Sequence, residues 1–110
     1  MAIPKEAEEK LQQLQLFEQN LQNFMMQKQA LQMQLVEAES ALEELKDAST
    51  AYRIIGNIMV KAEKEELTSE LASKKETTEL RIKAIEKQEA MLRERATKLQ
   101  QEVLGALKDE

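Results

Sequence analysis

The sequence predicts an all-α-dominated fold. Two long helices form a long antiparallel coiled-coil hairpin, and a short β-hairpin between them joins an intersubunit β-barrel. Three observations lead there. Apolar residues recur at alternating steps of three and four through both flanks of the chain, the spacing of a coiled-coil seam. The two flanks are separated by a β-branched stretch that carries the sole Tyr and a central Gly-Asn. Folding the chain back at that Gly-Asn brings the two apolar repeats into register.

The first flank, residues 4–48, reads as one helix. Pro4 suits a first helical turn, where its missing N–H costs nothing, and no Gly or Pro follows until the centre of the chain. Its seam is Leu14, Phe17, Leu21, Phe24, Lys28, Leu31, Leu35, Ala38, Leu42 and Leu45, with Lys28 the one charged member. The second flank, residues 63–108, opens with Glu63, Glu65 and Glu66, whose charge complements a helix N-terminus. Its seam is Leu71, Lys75, Thr78, Ile82, Ile85, Glu89, Leu92, Ala96, Leu99, Val103 and Ala106. Gly105 and Lys108 are compatible with fraying or termination there.

Between them, residues 51–62 read as a β-hairpin. Tyr52–Ile55 and Ile58–Lys61 pair across Gly56-Asn57, a dipeptide suited to a tight type II′ turn. Residues whose numbers sum to 113 then face each other, as in Leu42/Leu71, Leu31/Ile82, Leu21/Leu92 and Leu14/Leu99. Phe24/Glu89, Lys28/Ile85 and Ala38/Lys75 are the poorer matches, where long stems can snorkel to water.

The β-hairpin implies partners. Ile55, Ile58 and Val60 share one face with Arg53, while Tyr52, Ile54 and Met59 occupy the other, so both faces are largely apolar. A lone two-stranded hairpin is marginal in water and leaves two open edges. Hairpins from several copies closing one sheet or barrel resolve this; the competing arrangement folds the hairpin down over its own coiled coil. Tyr52, Ile54, Ile55, Gly56, Ile58, Met59 and Val60 are therefore the candidate assembly residues.

The composition excludes several other functions. The 110 residues make one unit, 34% charged and 3% aromatic, with a net charge of −5. That balance disfavours nucleic acid, whose phosphates require Lys and Arg. An amphipathic membrane-surface helix is disfavoured by the same acidity and by mixed-charge polar faces. There is no His or Cys, and so no nucleophile–base pair, thiolate metal site or disulfide. No glycine-rich phosphate loop appears. The expectation is a non-enzymatic protein without cofactor or metal. With no signal peptide at the start and no membrane span, a cytoplasmic location is expected.

The run Tyr52-Arg-Ile-Ile-Gly-Asn-Ile-Met-Val-Lys61, the following Lys64-Glu-Glu-Leu67, and the Arg81-Ile-Lys-Ala-Ile-Glu-Lys-Gln-Glu89 segment resemble the prefoldin family, in its archaeal beta-type subunit. The resemblance extends over nearly the whole chain and implies a jellyfish-shaped hetero-hexamer. Two alpha-type and four beta-type subunits would join their hairpins into a double β-barrel, from which six coiled coils hang. The distal coiled-coil ends would grip non-native proteins and pass them, without ATP, to a group II chaperonin. The alpha-type subunit carries two hairpins; this chain has room for one.

The helix ends farthest from the hairpin, residues 1–26 and 88–110, fit that role. Leu11, Leu16, Met25 and Met26 on one helix, and Met91, Leu104 and Leu107 on the other, lie off the seam, with Ile3 near the tip. Fraying would add Leu14, Phe17 and Val103. Flexible apolar surface that includes Met suits loose capture of varied segments. Ile3, Leu11, Leu14, Leu16, Phe17, Val103, Leu104 and Leu107 are the candidate client-binding residues. In the competing interpretation they only widen the coiled-coil stripe, and the protein is a structural homo-oligomeric scaffold without client.

Overall fold

The computed structural model describes residues 3–108 and orders them as α1 (Lys5–Lys46), β1 (Ala51–Ile55), β2 (Ile58–Ala62) and α2 (Lys64–Lys108). Both helices are built mainly from strong helix formers. Their ends are capped by identifiable groups. Pro4 stands just outside α1, its carbonyl accepting from the Glu8 amide at 3.0 Å. Glu63 plays the same part for α2, accepting from Leu67 at 3.0 Å. Helix α1 stops at Lys46, two residues short of the expected 48. There the Ala48 amide turns back to the Leu45 carbonyl at 3.3 Å, and the Lys64 ammonium donates to the Lys46 carbonyl at 3.2 Å. These bonds satisfy carbonyls that the helix end leaves without partners. Gly105 does not end α2; one Gly costs about 1 kcal/mol in a helix interior, too little to stop a helix this long.

The residues divide into two compact units. The first comprises residues 3–28 and 84–108, the second residues 29–83.

In the second unit the strands pair antiparallel from Ala51↔Ala62 to Ile55↔Ile58, the register set by folding back at Gly56-Asn57. Gly56 has φ of 61° and no other described residue has a positive φ, which selects type II′ over type I′. Ala38, Leu45, Thr78 and Ile82 are buried in the adjoining helix segments. A Cβ on Gly56 would meet nothing within 4 Å, so Gly56→Val tests backbone conformation alone. The expected penalty is about 1–2 kcal/mol for placing an L-residue at that φ. It would appear as a roughly tenfold faster amide exchange in β1 and β2, with the helix amides unchanged.

In the first unit the two helix segments run antiparallel, as the cross-helix pairs Lys10–Glu102 and Lys28–Glu89 show. Ala7, Leu99 and Val103 are buried between them. The seam therefore extends two heptad steps beyond Leu14, through Lys10 to Ala7. Contacts here follow a different offset from the hairpin. Phe17 and Leu99 line one shallow cleft, and Phe24 and Leu92 another. Lys28 meets Glu89 rather than snorkelling, with Nζ donating to Oε1 at 2.8 Å. Side chains on a helix lean toward its N-terminus. On antiparallel helices they lean toward each other, which shifts the meetings of Phe17, Phe24 and Lys28 by about one turn. Two apparent mismatches, Phe24/Glu89 and Lys28/Ile85, thus become one ion pair.

Candidate functional surfaces

Large apolar side chains left exposed gather in two places. Of seventeen among the described residues, eight lie in the first unit and six on the β-hairpin. Single exposed apolar residues are ordinary on a protein surface, whereas clusters mark contact sites.

On the hairpin, alternation along the strands places side chains on both sheet faces, and only the base is covered. Ala51 is buried and Arg53 is half-buried, its guanidinium donating to the Glu70 carboxylate at 2.6 Å. Sequence reasoning missed this ion pair, since only the three-dimensional approach of β1 to α2 joins residues so far apart. Tyr52, Ile54, Ile55, Ile58, Met59 and Val60 are all exposed, Ile54 by 70%. An open cleft of ≈ 670 Å³ adjoins the base, lined by residues that include Ser49, Arg53, Val60, Lys61, Glu63 and Glu66. The sheet has two strands and hence two open edges. Two apolar faces and two free edges make a surface suited to β-strand addition and apolar burial.

In the first unit the candidate residues separate into two groups. Ile3, Leu11, Leu16, Leu104 and Leu107 are exposed, Leu16 by 54% and Leu104 by 59%. Met25, Met26 and Met91 join them. Leu14 and Phe17 are half-buried in the seam, and Val103 is 5% exposed. In this conformation the three are wholly or partly covered, and Ala7 and Lys10 continue the seam past them. The heptad phase stepped back from Leu14 lands on both, but a small residue and a charged one obscured the pattern. Lys10 is held there by Glu6 at 3.2 Å and Glu102 at 3.6 Å. The Glu6 hydrogen bond, supported by the charges of Glu6 and Glu102, raises the Lys10 ammonium above its ordinary pKa.

Among the described residues, no helix is long and apolar enough to cross a membrane, and no group of three or more acidic, His or Cys side chains could hold a metal ion.

Comparison with known proteins accounts for this arrangement. A family model described as "Prefoldin subunit" matches residues 8–110. A prefoldin subunit beta from Archaeoglobus fulgidus is 39% identical over 108 residues, covering 96% of this chain and 93% of that protein. One from Methanospirillum hungatei is 36% identical over 104 residues, covering 92% and 87%. The crystal structure of the prefoldin beta subunit from a Thermococcus strain matches with a TM-score of 0.88 at 36% identity, over 96% of both chains. Two long helices joined by one antiparallel hairpin are common to both. The chain therefore belongs to the prefoldin subunit family, on the side of its archaeal beta-type members.

Proposed function

We propose that the chain is one subunit of an ATP-independent chaperone of the cytoplasm, a holdase for non-native proteins. Prefoldins are chaperone subunits. In this reading the hairpin joins alpha-type subunits and further beta copies in a hetero-hexamer of two alpha and four beta. The helix ends in the first unit hold clients and deliver them to a group II chaperonin. The observation that carries the client-binding part is the pairing of a closed seam with exposed leucines beside it. Leu16 and Leu104 are more than half exposed, and Leu11 and Leu107 in part, while Leu99 and Val103 pack between the helices. Leucines that only widened a coiled-coil stripe would be covered.

The test replaces those four exposed leucines with Ser in the assembled complex. Because they lie outside the seam, the melting temperature should change little. Protection of a chemically unfolded protein from aggregation, followed by light scattering, should fall by about tenfold, in line with the loss of several apolar contacts. Full protection by the variant complex would remove these residues from the binding surface. A complex that never protects, even unmodified, would favour the scaffold.

A further inference from the structure

Glu89 is 2% exposed, at a seam position of α2, and Lys28 occupies a seam position of α1. The Lys28 ammonium donates to Oε1 at 2.8 Å. Arg93, one turn further along α2, lies 3.6 Å from Oε2, within ion-pair range yet too far to hydrogen-bond, and Oε2 has no hydrogen-bond partner. All three residues belong to the first unit.

This pair differs from its neighbours in what it excludes. Apolar heptads resemble one another, so a seam slipped by seven residues keeps most of its apolar contacts. The slip would set Glu89 against an apolar side chain. A carboxylate buried without its cation disfavours that arrangement on the order of 100-fold. Parallel self-pairing fails as well, since α1 on α1 sets Lys28 against Lys28 and α2 on α2 sets Glu89 against Glu89. Of these arrangements, only the antiparallel pairing of α1 with α2 in the observed register joins the opposite charges. The other cross-helix pair of this unit, Lys10–Glu102, has Glu102 57% exposed, where water and salt screen it.

We infer that Lys28 and Glu89 form a pairing selector, a charge pair with a buried carboxylate that holds the first unit to one helix partner and one register. Such pairs contribute little net stability compared with apolar residues of similar size, and specifying register is their best-attested use. The selector does not depend on client binding, so its failure and the failure of the chaperone reading are separable.

The chain has no Cys, so spin labels attach only where Cys is introduced. Labels at Gln19→Cys and Gln101→Cys, both exposed positions, report the α1–α2 offset through their distance distribution in the full-length purified chain. The Lys28→Leu/Glu89→Leu variant is expected to keep or raise its melting temperature. It should also show either a second distance population, from an axial slip of about 10 Å per heptad, or a homodimer by native mass. The exchanged variant Lys28→Glu/Glu89→Lys should keep a single population and the parent mass. One unchanged population and mass in the Leu/Leu variant would overturn the proposal. So would a Leu/Leu variant that melts well below the parent, since the pair would then be there for stability.

Discussion

Replacing Ile55 or Val60 with Asp should abolish assembly while leaving most of the helix in place. Both side chains lie on the hairpin face that also carries Arg53 and Ile58, and both are solvent-accessible in the lone chain, Ile55 by 59% and Val60 by 38%. A carboxylate at either site is hydrated in the free subunit, and folding of the chain itself is little affected. Assembly would have to strip that water away. The penalty for burying an unpaired carboxylate is at least several kcal/mol per copy, and it recurs for every copy in the complex. Native mass should collapse to small species, with helical circular dichroism close to the parent. If both variants keep the parent mass, the hairpin is not the assembly element.

Lys28→Leu should strongly destabilise the first unit. It removes the only group that hydrogen-bonds a carboxylate buried to 2% exposure. Arg93 at 3.6 Å offers partial compensation. An estimate of about 3 kcal/mol follows from the usual effect of breaking a buried pair, equivalent to a fall of roughly 10 °C in melting temperature. Glu89→Leu should cost clearly less. It leaves Lys28, whose side chain is 23% exposed, and a long stem can carry the ammonium out to water. Equal losses in the two variants would show that the charge on Glu89 is not effectively buried.

Much of this fold is written in local patterns, and those could be read directly. The heptads of both helices, the type II′ turn at Gly56-Asn57 and the pairing from Ala51↔Ala62 to Ile55↔Ile58 all follow from residues close in sequence. The exposed apolar character of the hairpin was equally legible, because a strand with apolar residues on both faces cannot cover itself. What the pattern hid depends on side-chain direction and on distant partners. A fold-back register treats residues as points, whereas Phe17, Phe24 and Lys28 lean along the helix and meet Leu99, Leu92 and Glu89. Lys28 and Glu89 looked like two separate flaws because each was weighed against an apolar neighbour. In the first unit, Leu16, Leu104 and Leu107 could be placed off the seam by counting. Whether Leu14, Phe17 and Val103 stayed covered turned on Ala7 and Lys10, neither of which looks like a seam residue.

The open hairpin also makes the fate of an orphan chain a question of supply. Its β-branched strands offer two free edges to any strand that arrives, including the same segment of another copy. A chain made ahead of its partners meets its own kind first, and the encounter is not self-limiting unless the sheet closes. If the hairpin is the assembly element, balanced synthesis of subunits would guard against aggregation as well as secure the complex. On the same condition, the midpoint of thermal unfolding should rise with total concentration, because partners would then bind the folded hairpin and not the unfolded chain.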